Sequence, residues 1–227
     1  MYLSRVQIKP GPEMFSIIKR DTASNSYAVH QLLWSLFPND GEKKRDFIYR
    51  EDSEGGLPRF YLVSGEMPLS NNAALVDSKQ YNPSLVKGEQ LHFTLVANPV
   101  VARITKGKKH SVKHDVWMDA KKKAEQDGKK GPETVAECEC AVKNWLINRS
   151  EANGFHIDIN QICVDGYLQH RFKQAKGGRE IRFSSIKYEG LLTVNDPELF
   201  VKCALYRGVG PAKAFGCGLM LVKRKGR

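Results

Sequence analysis

The chain has 227 residues, 41% of them hydrophobic and 27% charged, which permits a packed core and makes disorder an unsuitable default. At about 150 residues per domain, that length falls between one domain and two. No run of about 18 apolar residues is available to cross a membrane, and Met1 to Pro10 alternates like a strand instead of forming the apolar centre of a secretion signal. A cytoplasmic protein without a membrane partner is expected.

Taken in chain order, Tyr2 to Ile8 alternates with period two and ends at Pro10-Gly11-Pro12, so the chain opens with a strand. Ser24, Asn25 and Ser26 are candidate caps for a helix whose apolar members Val29, Leu32, Leu33 and Leu36 recur at steps of three and four; Phe37-Pro38-Asn39 closes it. Phe47 to Arg50 and Arg59 to Val63 read as short strands, followed by an irregular segment and a strand at Leu91 to Val96. After Asn98-Pro99 the chain turns basic and reads as a loop. Thr134 to Ser150 is then helical, with Val135, Cys138, Val142, Trp145 and Leu146 spaced for a buried face.

Strands are predicted at Phe155 to Ile159, Ile162 to Phe172, Glu180 to Tyr188 and Leu191 to Val194. A helix opening at Asp196-Pro197-Glu198 and a last strand from Cys217 to Lys223 follow. Each half approximates strand, helix, two strands, second element, strand. That is the ferredoxin-like order, giving an α+β class with units at 1–98 and 99–227.

The net charge of +11 is concentrated in three stretches. Val101 to Gly131 holds ten Lys/Arg against four acids, Gln169 to Lys187 six against one, and Arg207 to Arg227 six against none; together they carry +17, so the remainder nets −6. A surface that joins them would bind a polyanion. Taken singly, such runs are usually solvated faces. The five cysteines, Cys138, Cys140, Cys163, Cys203 and Cys217, show no metal-binding spacing and fit reduced thiols. His110 and His114 lie in the lysine-rich loop, so no metal and no cofactor is expected.

Three constellations could carry chemistry. Tyr27, His30 and Trp34 fall beside the core stripe of the first helix. A histidine titrates near neutrality, with an ordinary pKa of about 6.5, and a tyrosine with a pKa of about 10 is better suited to donate a proton. RNA cleavage by 2′-OH attack needs both roles. A Tyr/His pair at that spacing also serves as interfacial packing. The second constellation is a basic hairpin, Gln169 to Lys187, with Gly177-Gly178 as its turn; Arg171 and Lys173 share one face opposite Phe172. An edge hairpin whose charges oppose aggregation is the competing reading. Third, Gly208-Val-Gly210-Pro-Ala-Lys213-Ala-Phe-Gly216-Cys-Gly218 is neither a Walker A loop nor a dinucleotide fingerprint. Its glycines would let the backbone approach a phosphate, or would serve a chain reversal.

In this order, these pieces resemble the CasE family of CRISPR repeat endoribonucleases in the RAMP superfamily. The resemblance rests on Met1 to Val6, Tyr27 to Pro38, Lys87 to Phe93 with Ala97-Asn98-Pro99, and the glycine-rich segment with Gly208, Gly210, Gly216 and Gly218. It runs essentially end to end. It implies two tandem ferredoxin-like domains and metal-independent cleavage on the 3′ side of the CRISPR repeat hairpin, leaving a 2′,3′-cyclic phosphate. The product would stay bound, with the protein joining other Cascade subunits, including the backbone subunit. The family's active-site tyrosine and histidine fall on Tyr27 and His30. Arg171, Lys173, Lys176 and Arg179 lie where the family places a basic hairpin beside the RNA stem; Lys106, Lys108, Lys109, Arg182 and Lys213 are further RNA-contact candidates. Gln31 departs from the basic residue found there in some members. Three other readings remain open: a non-catalytic RNA-binding subunit, a two-histidine ribonuclease pairing His30 with His156 or His170, and a purely structural subunit whose basic faces contact acidic proteins.

Overall fold

The computed structural model describes residues 1–12, 14, 25–38, 46–52, 58–104, 111–173 and 180–225. Strand β1, Tyr2–Ile8, buries Ser4, Val6 and Ile8 and exposes Arg5 and Gln7, the alternation its sequence predicts. Helix α1, Asn25–Trp34, buries Val29, Leu32 and Leu33, and Leu36 in the next turn continues the same stripe. Strands β2, Phe47–Asp52, and β3, Arg59–Ser64, pair antiparallel; β1 lies between β3 and β4, Ala74–Gln80. The order β2-β3-β1-β4 is ferredoxin-like. Only Gly65 to Ala73, which contains no helix, takes the place of the second covering helix.

β4 falls in the segment expected to be irregular. It is an edge strand in which Leu75, Asp77 and Lys79 are all exposed and only Ala74 is fully buried, so it lacks apolar alternation.

The second half begins with β5, Gln90–Ala97, the hairpin β6, Val100–Ile104, and β7, Ser111–Asp115, then helices α2, Val116–Gln126, and α3, Pro132–Ser150. Next come β8, Phe155–His156, β9, Ile162–Lys173, and β10, Glu180–Val194. Helix α4, Pro197–Leu199, runs on as a π-helical turn through Phe200–Tyr206, and β11, Met220–Arg224, completes the sheet. The sheet order is β11-β5-β10-β8, with β9 also on β10. Thus β5, α3, β9, β10, the 197–206 helical segment and β11 make the second ferredoxin-like unit.

Three expectations change here. The expected first unit, 1–98, includes β5, but this strand pairs with β10 and β11. Its Leu91, Phe93, Leu95 and Ala97 enter the core of Val142, Trp145, Leu146 and Tyr188, so the sheets change over between Gln80 and Gln90. The basic stretch expected as loop contains the β6–β7 hairpin and α2. Among the residues of α2 only Val116 and Ala124 are buried, too narrow a stripe to show through its lysines, and Asp115 caps it by accepting from Met118 N at 2.9 Å. In α3 the buried row starts at Thr134, whereas Val135 is 45% exposed.

The halves meet in a cluster of Ile48, Val63 and Leu219, flanked by Tyr81 and Tyr206. Across this seam Arg50 Nη1 donates to Thr94 Oγ1 at 2.7 Å and the Tyr206 hydroxyl to Tyr81 O at 2.7 Å. Burial, followed by the neighbouring Tyr206, pushes the Tyr81 hydroxyl up to about 12.

Candidate functional site

α1 presents His30 at the side of its core stripe, half-buried. Its ring lies 6.0 Å from Trp34 with planes 16° apart, and 6.2 Å from Phe47 of β2. Trp34 and Phe37 also meet Phe47, at 5.7 and 5.0 Å. An aromatic bed therefore fixes the imidazole where the helix end meets the first sheet. Tyr27 is one helical turn earlier on α1; its side-chain surroundings lie outside the described residues.

The glycine-rich loop reaches the same place from the second half. Gly208, Gly210, Gly216 and Gly218 have φ of 74°, 82°, 81° and 95°, a region open to glycine. The tightest requirements are at Gly208, where a Cβ would sit 2.7 Å from Gly218 O, and at Gly210, where it would sit 2.8 Å from Trp145 of α3. Trp145 is itself held: its Nε1 donates to Val100 O at 2.9 Å and the Arg149 guanidinium lies 4.2 Å above its ring. Val209 N donates to Gly218 O at 2.9 Å, and Gly218 N to Val96 O at 2.7 Å, closing the loop over β5. These contacts account for the glycines as a chain reversal. They also place the short turn Lys213–Phe215 against α1 and β2, where the Tyr49 hydroxyl donates to Ala214 O at 3.2 Å. Gly216 and Gly218 disrupt strand geometry, which is why the last strand starts at Met220 instead of Cys217.

On the β9–β10 pair, Arg171 stands directly opposite Arg182. Both are exposed, and both pair with Glu180. The hydrogen bond from Arg171, reinforced by that from Arg182, holds the Glu180 carboxyl below its ordinary range. Lys173 ends β9, and its side chain is outside the described residues, as are Lys176, Arg179, Lys106, Lys108, Lys109 and His110. On the opposite face of the pair, His170 stacks on Phe183 at 4.4 Å and its Nε2 meets Ser185 Oγ at 2.7 Å; burial pulls its pKa down. Phe183 stacks in turn on Phe215 of the glycine-rich loop at 5.2 Å.

The structure thus gathers α1 with His30, the Lys213–Phe215 turn and the reverse face of the basic hairpin around one seam. His156, offered as an alternative partner for His30, sits on β8 opposite Thr193. In the lysine-rich stretch, Arg103 pairs with Asp119, Lys121 with Glu125 and Lys129 with Glu137, so part of its charge is neutralised locally. Tyr49, Phe47, Phe183 and Phe215 carry no signal in the sequence that marks them for this site; each contacts residues far away in the chain, which no spacing rule reveals. Among the described residues, no group of three His, Cys, Asp or Glu side chains is placed to hold a metal, all five cysteines are free, and no helix is long and apolar enough to cross a membrane.

Comparison with known proteins agrees with this architecture. The chain is 30% identical to the CRISPR system Cascade subunit CasE of Escherichia coli, covering 97% of this chain and 98% of that protein. It is 28% identical to the CRISPR-associated endoribonuclease Cse3 of Thermus thermophilus, covering 98% and 99%. The structure of Thermus thermophilus Cse3 bound to an RNA representing a pre-cleavage complex matches the fold with a TM-score of 0.69 at 24% identity, covering 98% of each chain. A family model described as CRISPR associated protein matches residues 1–224. With two ferredoxin-like sheets in tandem and relatives aligned over nearly their whole length, this chain belongs to that CRISPR-associated protein family.

Proposed function

We propose that this protein is a metal-independent endoribonuclease that cleaves CRISPR precursor RNA at the 3′ side of the repeat hairpin and keeps the product within a Cascade complex. The observation that carries the reading is the seam itself. A half-buried imidazole on α1, the glycine-rich loop and a cationic strand pair converge in a chain related end to end to CasE and to the endoribonuclease Cse3. The relatives' names supply the substrate class, and Cse3 has been captured with RNA before cleavage.

In the proposed reaction the 2′-OH next to the scissile phosphate is deprotonated and attacks phosphorus. The 5′-oxygen leaves with a proton, and a 2′,3′-cyclic phosphate remains. His30 serves in one of the two proton transfers; Tyr27 takes the other or holds the phosphate. The Trp34 and Phe47 rings fix the imidazole so that little reorganisation precedes reaction. Arg171, Lys173, Lys176, Arg179 and Arg182 grip the stem, with Lys213 and the lysines 106, 108 and 109 as further phosphate contacts. Reduced cysteines fit a cytoplasmic setting.

The test is a labelled repeat hairpin incubated in EDTA with wild type and with His30→Ala, alongside a substrate carrying 2′-deoxyribose at the cut. Cleavage by wild type alone is expected, reduced by His30→Ala about 10²- to 10⁴-fold with binding retained, and absent on the deoxy substrate. Tight binding of the intact repeat without cleavage by wild type would leave an RNA-binding subunit as the better account.

A further inference from the structure

The Lys213–Phe215 turn is held from both halves of the molecule. From the first, the Tyr49 hydroxyl donates to Ala214 O at 3.2 Å, and α1, which carries His30, lies against the same turn. From the second, Phe215 stacks on Phe183 with ring centres 5.2 Å apart and planes at 22°, and Phe183 on His170 at 4.4 Å and 13°. His170 is anchored by its Nε2 on Ser185 Oγ at 2.7 Å. The turn is entered through Ala212 at φ 61°, the one non-glycine residue with positive φ among the described residues. L side chains rarely adopt that conformation, and it persists where surrounding contacts over-determine it.

The register links this stack to the proposed RNA grip. His170 is directly opposite Phe183, and the next pair along the strands is Arg171 opposite Arg182. Neighbouring residues of a strand point to opposite faces. The same two strand segments therefore present arginines on one face and the ring stack on the other. The arginines are thus one peptide step on each strand from the stack, and the stack borders the turn beside α1.

We propose that Phe215 is a positioning residue for the cleavage step. Stacked on Phe183 and His170, it fixes the Lys213–Phe215 turn, and with it the face of α1 bearing His30, relative to the hairpin that seats the RNA. This rests on the endoribonuclease reading above. Phe215 need not touch the RNA; its effect is on the alignment of the reacting groups, so it alters the rate of the bound complex and not its formation. Leucine at this position would fill part of the space without the flat ring that defines the spacing to Phe183.

Single-turnover cleavage of the repeat hairpin in EDTA, at saturating protein, tests this with wild type, Phe215→Leu, Phe215→Tyr, Phe183→Leu and the Phe183→Leu/Phe215→Leu double variant. The Kd of each is measured on the hairpin with 2′-deoxyribose at the cut, and the urea midpoint of each shows that it is folded. Phe215→Leu should lose roughly 10- to 100-fold in rate, as expected for a misplacement of about 1 Å, with Kd unchanged and with Phe215→Tyr restoring the rate. Phe183→Leu should show the same loss, and the double variant should lose no more than either single, as residues acting through one contact do. If Phe215→Leu fails to fold, Phe183→Leu and its Kd carry the same expectation. Wild-type rates in folded Phe215→Leu, a defect confined to Kd, or losses that multiply in the double variant would overturn the proposal alone. A wild type that binds but does not cut overturns the endoribonuclease reading and this proposal with it.

Discussion

His170 shows how one side chain's burial sets a pH response. Its ring is stacked on Phe183 and withdrawn from water, and that burial lowers its proton affinity in the folded protein. Above the ordinary histidine pKa of about 6.5 both folded and unfolded chains carry it neutral, and it adds no pH dependence. As pH falls below that value the unfolded chain binds the proton first, so stability falls until the folded pKa is passed. His170→Phe keeps a ring against Phe183 and removes the titration. Its urea midpoint should therefore drop less than that of wild type between pH 7.5 and pH 5.5; equal drops would assign the acid sensitivity to other groups. His30, by contrast, was legible from the sequence as a candidate because its helix shows a clear core stripe and the histidine falls beside it. The bed of Trp34 and Phe47 was not, since Phe47 belongs to a strand beyond an intervening segment.

At the level of elements, the β9–β10 pair presents two arginines directly opposite each other, an arrangement that repels unless something lies between them. Glu180 supplies that charge by pairing with both. These are surface pairs, so their contribution to stability is small. The consequence lies in the proposed RNA grip, where the carboxylate would compete with phosphate for Arg171 and Arg182. Glu180→Gln should leave the urea midpoint nearly unchanged, tighten repeat-RNA binding at low salt and steepen the fall of log K with log salt by about 0.7 to 0.9 for each cation released to a phosphate. Filter binding across a salt series checks it, and an unchanged slope would mean that both arginines already reach phosphate past Glu180. The sequence displayed the cations of these two strands. The cross-strand opposition of Arg171 and Arg182 depends on register, which a bulge between Ser185 and Lys187 shifts and no local pattern announces.

At the scale of the molecule, two ferredoxin-like sheets are joined by a small apolar seam with Leu219 at its centre, fully buried against Ile48 and Val63. Leu219 follows Gly218 in the glycine-rich loop, so the residue that joins the halves is carried by the segment that approaches α1. Leu219→Ala should cost about 2 to 5 kcal/mol and weaken the coupling of the halves. In a urea titration, tryptophan fluorescence from Trp34 in the first half and from Trp145 in the second should then give separate midpoints, read in single-tryptophan variants. Coincident midpoints with the full loss of stability would show that the remaining contacts between the halves, among them Tyr206 to Tyr81, Arg50 to Thr94 and Tyr49 to Ala214, suffice to keep unfolding cooperative.

The sequence by itself determined the elements whose period matches their burial, β1, α1 and most of α3, because each buries one face against a core and so repeats every two or 3.6 residues. From these it yielded the ferredoxin-like order and the histidine beside the helix stripe. It left β4 and α2 unread, since an edge strand and a lysine-covered helix bury too little to leave a periodic trace. Only the tertiary structure decided that β5 belongs to the second sheet, because Leu91, Phe93, Leu95 and Ala97 suit either core and their partners are chosen by strand pairing. It alone also decided that the glycine-rich loop rests on Trp145, Tyr49 and Phe183. Those contacts join positions far apart in the chain, and packing across a seam is a property of shapes in space, which spacing along the chain does not encode.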